Sequence, residues 1–335
     1  MDNPKVVVIG AGAMGGSLAG ALRLGGADVT ILDTDCDHVD AINADGLRVD
    51  GLAEIPRIVA VDVPGQEGAY DLALIMTPAY ETEAAAQAAR QLLKLDGSAI
   101  SCQNGLGNME LLVEALGRER VFMGSTKASA DRPAPGRPRI TRMDPTTVGE
   151  LDGQARPRTE WFRATLEAGG MPCVITDNIE GALWTKFIHN CCINALSAIT
   201  GLRMGHVTRI RALGELRWKI VDEALAVARA KGIKLLDPNP RATLEPHVWR
   251  KFTQPSMLQH IEQRRMIEID AINGYLSRTG DEVGIETPVN DIVFAMACGR
   301  GMAVILDRED PDYAALSAKA EAEIERGERP WEDLP

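Results

Sequence analysis

Positive charge is scarce in this chain: 36 lysines and arginines stand against 48 aspartates and glutamates, a formal net charge of −12. The sequence pI is near 5.0. A basic surface is what draws a protein to phosphate backbones or anionic lipid, so neither nucleic acid nor a membrane is expected as a partner. The opening, MDNPKVVVIG, has no basic segment, long apolar stretch or cleavage signature ahead of its first strand-like run. No later run offers the roughly 18 uncharged apolar residues that suggest a span. A cytoplasmic protein is the expectation. The six cysteines, at 36, 102, 173, 191, 192 and 298, show neither C-x-x-C spacing nor a small-domain framework. They read as reduced core residues. Five histidines without H-x-x-x-H spacing or a nearby carboxylate pattern point to no metal site.

What is present is ordinary for a globular protein: 45% hydrophobic and 25% charged residues. At 335 residues the chain exceeds the size at which a single core stops growing. The expected fold is α/β: an N-terminal Rossmann-like dinucleotide-binding domain over residues 1–176, then an all-helical substrate and catalytic domain over 177–335.

The N-terminal pattern starts with KVVVI, a β-branched run of the kind buried in a parallel sheet, leading into Gly10-Ala11-Gly12-Ala13-Met14-Gly15. A helical segment and a second strand, Asp28 to Leu32, follow, and Asp33 ends that strand about 20 residues on. In this context Gly10 permits a tight turn, Gly12 lets backbone approach a pyrophosphate, and Gly15 lets helix and strand pack closely. The helix N-terminus offers free N–H groups to the phosphates. Asp33 can accept hydrogen bonds from a ribose diol and would repel a 2′-phosphate. The nearest segment has no arginine or lysine, and Asp35 and Asp37 read as caps of the next helix. NAD rather than NADP is expected. Gly46 to Val63 alternates around Asp50-Gly51 like a short hairpin. Further strands end at Met76 and at Gln103, the latter opening a second glycine turn, Asn104-Gly105-Leu106-Gly107, where open α/β sheets hold ligands. Arg139 to Arg142 and Thr146 to Leu151 look like an antiparallel pair.

From Asp177 on, the pattern is helical. Helices are expected at Glu180 to Thr200, Leu213 to Lys231, Ser256 to Arg278, Pro288 to Cys298 and Tyr313 to Arg326, with a loosely held tail, GERPWEDLP, at Gly327 to Pro335. The first of these, EGALWTKFIHNCCINALSAIT, carries the chemistry. Lys186, Asn190 and Asn194 are four apart, and steps of four drift only about 40° each, so all three share one face. The flanks, from Trp184 through Ile199, are apolar, which makes this a buried helix. Burial lowers a lysine pKa and suits it to donate a proton; a buried lysine that pairs with a carboxylate has the same pattern.

Taken together, GAGAMG, the QNGLGN turn, LWTKFIHNCCINALSAIT, PSMLQH and IEIDAINGYL resemble the ketopantoate reductase (2-dehydropantoate 2-reductase) family, in its order and spacing over nearly all of the chain. The resemblance implies reduction of a 2-oxo acid by a nicotinamide cofactor bound between the domains. It implies that Lys186 is the catalytic lysine and that Asn190 and Asn194 face the substrate. It further implies that Asn104 holds the nicotinamide side, that Ser256 meets the substrate carboxylate, and that Glu268 hydrogen-bonds the substrate near the reacting oxygen. On residues alone, Ser256 reads instead as an ordinary helix N-cap and Glu268 as an ion-pair partner of Arg264 or Arg265. A small-molecule 2-oxo acid is the expected partner, and a homodimer the candidate assembly.

The departures from the family pattern are informative. Members that use NADP carry an arginine after the second strand and a lysine after the strand that here ends at Met76; this chain has Asp33-Thr34 and Pro78. The family's N-x-S-S-M-L-Q-D appears as Thr253 to His260, so Thr253 replaces the asparagine that meets the ketopantoate hydroxyl, and His260 replaces the closing aspartate. That exchange opens the site to other branched or aromatic 2-oxo acids. His260 reads either as a substrate contact or as a helix-surface histidine. A 3-hydroxyacid dehydrogenase shares the architecture, but GSTKASADRP does not resemble its substrate loop. A non-catalytic NAD(H) sensor would have no need of a proton donor.

Overall fold

The computed structural model describes residues 4–237, 239–309 and 313–327. The tail expected to be loose, from residue 328 on, lies outside the described residues. Strands are β1 (Lys5–Ile9), β2 (Asp28–Leu32), β3 (Val59–Val61), β4 (Tyr70–Ile75), β5 (Leu93–Ser101), β6 (Val121–Thr126), β7 (Ser129–Ala134), β8 (Arg137–Arg142), β9 (Thr146–Glu150) and β10 (Cys173–Ile175). Helices α1 (Ala13–Leu24), α2 (Cys36–Asp45), α3 (Thr82–Leu92), α4 (Asn108–Leu116) and α5 (Pro157–Ala168) alternate with them. The remainder is helical: α6 (Ile179–Thr200), α7 (Met204–Arg209), α8 (Arg211–Ala230), α9 (Pro240–Trp249), α10 (Ser256–Glu262), α11 (Tyr275–Val283), α12 (Pro288–Glu309) and α13 (Tyr313–Glu325).

The main sheet has the order β10-β9-β6-β5-β4-β1-β2-β3. From β3 to β6 its strands are parallel, the 3-2-1-4-5-6 arrangement of a Rossmann-like fold. β9 joins antiparallel to β6, and β10 parallel to β9. Alternate side chains of a strand leave opposite faces. Val6 and Val8 of β1 therefore enter a core with Leu18 and Leu22 of α1 and Phe162 of α5. Val7 and Ile9 enter another with Ile75 of β4 and Leu112 of α4. All four β1 residues are buried, and burying each stabilises the fold by about 1.5–3 kcal/mol.

α6 belongs to two cores. Its first turns, Ile179, Ala182 and Leu183, complete the sheet's second core. From Trp184 on, with Phe187, Ile188, Cys191 and Leu196, it is the centre of the helical core. The helix starts where Asn178 accepts from Gly181 N at 3.0 Å and stops at Gly201, φ +70°. Lys186 thus sits just past the crossing from sheet to helices.

Several expectations need correction. Residues 46–58 form no hairpin of their own: Asp50 N donates to Pro138 O and Asp50 O accepts from Ile140 N, both at 2.9 Å, so the alternating segment pairs with β8 instead. β8 in turn pairs antiparallel with β7, not with β9. The helix expected over Ser256 to Arg278 breaks after α10. Arg264 takes a φ of +53°, residues 265–269 run without regular structure, and a π-helical turn, Asp270–Gly274, leads into α11. The break lets Ile267 and Ile269 enter the helical core while Glu268 points the other way. Finally, Cys36 is exposed, whereas Cys102, Cys173, Cys191 and Cys192 are buried; all six cysteines are free thiols.

α12 also extends beyond the expected Cys298. Its stretch Pro288–Leu306 is long and apolar enough, by length and composition, to cross a membrane, with 28% of it buried. It carries Asp291 and Arg300, and Val293, Ala297 and Val304 pack into the helical core.

Candidate active site

The glycine turn after β1 has the three properties a dinucleotide requires. Gly10 has a φ of +87°, and a Cβ there would lie 2.6 Å from Thr77 N; a Cβ on Gly15 would lie 2.0 Å from Gly10 O. Neither position accepts a side chain. A Cβ on Gly12 would meet nothing within 4 Å, so the backbone faces open space where α1 begins. Ala13 and Met14 open that helix, whose first N–H groups have no partner within it.

Asp33 does more than wait for a ribose. Its Oδ2 accepts from Ala11 N at 2.6 Å and its Oδ1 from Asp35 N at 2.9 Å. Each carboxylate oxygen keeps a second lone pair, so the diol of an adenosine ribose can still be accepted. The residues at this end fit an adenine dinucleotide: Gly12 with Ala13 and Met14 for the pyrophosphate, Asp33 for the ribose.

Two residues here escape a reading along the chain. Buried His38 bonds Ala11 O through Nε2 at 2.8 Å and accepts from Gly136 N through Nδ1 at 2.8 Å, tying the glycine turn to the β7–β8 hairpin. Burial, then the charge of Arg132, lowers its pKa. Arg132 itself reaches from β7 to Asp35, 2.7 Å away. Asp35 caps α2 as expected, accepting from His38 N at 3.1 Å, while Asp37 lies in the first turn rather than at the cap. The segment beside Asp33 lacks a cation, but the neighbourhood in space does not.

At the junction with the helices, Lys186 Nζ donates to Asn104 Oδ1 at 2.9 Å. Among the described residues it makes no ion pair with a carboxylate. Burial lowers its pKa to about 8, with Arg142 adding to the effect and Cys102 and Glu268 opposing it. Glu268, 8% exposed, accepts from Ala79 N at 2.9 Å. Burial raises its pKa, and the Ala79 N–H, the Lys186 charge and a hydrogen bond with Asn104 pull the other way without cancelling it. Lys186, Asn104 and Glu268 therefore converge. Among the described residues Glu268 makes no ion pair within 4 Å with Arg264 or Arg265, although the Arg265 charge also acts to lower its pKa; the broken helix turns the carboxylate toward Ala79.

Asn104 is held by residues that the sequence offered but whose roles stayed hidden. Asn108 Nδ2 donates to Asn104 O at 2.9 Å and its Oδ1 accepts from Thr82 Oγ1 at 2.9 Å. Gln103 Nε2 donates to Thr82 Oγ1 at 2.8 Å and to Thr77 O at 2.9 Å. Both belong to the QNGLGN turn, where polar residues flanking a glycine turn were the available signal.

On α6, Lys186 and Asn190 are mostly buried and Asn194 is 5% exposed. Ser256 is the first residue of α10, directly after Pro255, and is not the cap. Thr253 is exposed on the preceding loop, its Oγ1 3.9 Å from Met204 Sδ. His260 lies in the last turn of α10 with a buried Nδ1 that has no hydrogen-bond partner. Burial, then Arg265, lowers its pKa to about 4, so it is neutral. α10 packs on α6, but no direct hydrogen bond among the described residues links Thr253, Ser256 or His260 to Lys186, Asn104 or Glu268.

The chain is similar to known proteins over most of its length. The profile described as ketopantoate reductase PanE/ApbA matches residues 6–153, and that of the C-terminal part of the same family residues 178–300. The 2-dehydropantoate 2-reductase of Pyrococcus horikoshii is 30% identical over 295 residues, 87% of this chain and 96% of that protein. A PanE/ApbA family ketopantoate reductase from Ralstonia eutropha JMP134 has a TM-score of 0.82 and 30% identity, covering 90% of this chain and 99% of that one. D-mandelate dehydrogenase, solved with NADH and anilino(oxo)acetate, has a TM-score of 0.82 and 26% identity over 90% and 99% of the two chains. A Rossmann-like sheet, a helical C-terminal part and likeness along nearly the whole length place this chain in the ketopantoate reductase family of NAD(P)-dependent oxidoreductases.

Proposed function

We propose that this protein reduces a 2-oxo acid with NADH, using Lys186 as the proton donor. The observation that carries the reading is the convergence of Lys186 on Asn104 and Glu268 at the junction of sheet and helices. A bound nicotinamide supplies the hydride to the carbonyl carbon. The chain's own part is to bind, orient and protonate. The Lys186 ammonium, with a pKa of about 8, hands its proton to the carbonyl oxygen and stabilises the charge that builds there. Asn104 fixes the direction of Nζ. Glu268 bonds the substrate near the same oxygen, Asn190 and Asn194 line its approach, and Ser256 takes its carboxylate. In this reading the cofactor domain is residues 1–176 and the substrate domain 177–335, with the first turns of α6 packed in the sheet's core.

NADH preference rests on Asp33, which presents a carboxylate where a 2′-phosphate would sit. Pro78, in the place of the family's lysine, adds to that reading. The relative solved with NADH, D-mandelate dehydrogenase, is consistent with it.

2-Dehydropantoate is the substrate named for several relatives. Thr253 in place of the hydroxyl-reading asparagine, together with neutral His260, supports a second reading: another branched or aromatic 2-oxo acid. A site that loses the amide for a substrate hydroxyl loses discrimination toward it. The test is the initial rate of NADH and of NADPH oxidation, side by side, with ketopantoate and with a panel of branched and aromatic 2-oxo acids. Turnover favouring NADH supports the reading; turnover favouring NADPH overturns the cofactor assignment; none with any member overturns the reaction.

A further inference from the structure

Asp35 stands beside Asp33 by construction, since Asp33 Oδ1 accepts from Asp35 N at 2.9 Å. Its own Oδ1 caps α2, and its Oδ2 takes Arg132 Nη2 at 2.7 Å. The strand that carries Arg132 does not depend on that bond for its position. Arg132 rides on β7, and the hairpin is anchored separately, through Gly136 N to His38 Nδ1 at 2.8 Å and through Asp50 N to Pro138 O at 2.9 Å. A guanidinium is thus held at the end of β2, where nicotinamide enzymes place the arginine that accepts a 2′-phosphate. Here its charge is already matched by a carboxylate.

We propose that Asp35 is a second cofactor-selecting residue, holding Arg132 and so closing a subsite for the 2′-phosphate of an NADPH-type dinucleotide. The proposal rests on the reading of Asp33 as an NAD-selecting residue. It assigns selection to two carboxylates with different tasks: Asp33 repels the phosphate, and Asp35 withholds the Arg132 guanidinium from it. Partial exposure of the pair, 25% for the Arg132 side chain and 38% for that of Asp35, leaves room for an incoming anion.

The test is direct binding of NADH and NADPH, followed by cofactor fluorescence, to the wild type, Asp35→Asn, Arg132→Ala and the double variant. Asparagine caps a helix as well as aspartate does, so Asp35→Asn removes the charge and keeps α2. Its ratio of NADPH to NADH affinity is expected to rise about tenfold, the scale of one charge-assisted bond. Adding Arg132→Ala should abolish that rise. A ratio unchanged in Asp35→Asn overturns the proposal, and so does a rise that survives in the double variant, which would reflect lost repulsion alone. A wild type that already binds NADPH more tightly than NADH would instead overturn the reading of Asp33. Because binding needs no substrate, these outcomes are independent of which 2-oxo acid is reduced.

Discussion

Glu268 Oε1 accepts a 2.9 Å hydrogen bond from Ala79 N, 189 residues away in sequence. The carboxylate assigned to the substrate is therefore also a clasp between the segment before α11 and the loop that follows β4. Removing it has two separable consequences. Glu268→Ala leaves a buried N–H without an acceptor, a loss of about 1–3 kcal/mol, and should lower both Tm and kcat/KM. Glu268→Gln keeps an acceptor oxygen for Ala79, so Tm should stay near that of the wild type while kcat/KM falls. Equal losses of Tm in the two variants would contradict the clasp.

The glycines at Gly12 and Gly15 should part company in the same way. A Cβ on Gly15 collides with Gly10 O at 2.0 Å, whereas one on Gly12 meets nothing within 4 Å. Gly15→Ala is expected to destabilise the protein without cofactor by about 1–3 kcal/mol, the cost of overpacking. Gly12→Ala should leave that Tm close to wild type and weaken NADH binding about tenfold or more, because its methyl fills the space a pyrophosphate needs. Thermal melts with and without NADH separate the two. Unaltered NADH affinity in Gly12→Ala would contradict the placement of the pyrophosphate.

The fold was legible where the signal is local. The run KVVVI with its glycine turn announced β1 and α1, and Lys186, Asn190 and Asn194 at steps of four announced the polar face of α6. What stayed hidden depends on partners distant in sequence. Nothing near His38 foretells its bond to Gly136, 98 residues on, and nothing near Asp35 foretells Arg132, 97 residues on. The hairpin expected within residues 46–63 is missed for the same reason: the stretch around Asp50 pairs with β8, and Val59–Val61 pairs with β2. The break after α10 has a different origin. The residues from Ser256 to Arg278 suit a helix locally, and tertiary packing overrides them by drawing Ile267 and Ile269 into the core and Glu268 to Ala79.

Thr253 offers a test of substrate choice. If the loop before α10 reads the substrate's distal group, Thr253→Asn returns the amide that recognises a hydroxyl. The ratio of kcat/KM for ketopantoate to that for an aromatic 2-oxo acid should rise about tenfold or more, because a site built to pair a hydroxyl penalises its absence. A ratio that does not move would remove Thr253 from the substrate site.

The pH dependence follows from the sign of one shift. Burial lowers the Lys186 pKa to about 8, and the proposed reduction needs the ammonium form. The rate of reduction should be level below that value and fall about tenfold per pH unit above it. Oxidation of the corresponding 2-hydroxy acid needs the neutral amine and should show the opposite limb, rising through the same pKa. Matching limbs of the same sign in both directions would contradict the assignment.

The proposed reduction depends most on Lys186 being the acid and not merely a charge beside Asn104. The most direct measurement is turnover of Lys186→Ala set against its NADH binding, measured by cofactor fluorescence on the same preparation. NADH affinity close to the wild type is expected, with a kcat lower by about 10²–10⁴-fold, the scale of a lost general acid. Unchanged kcat with intact NADH binding would contradict that role for Lys186.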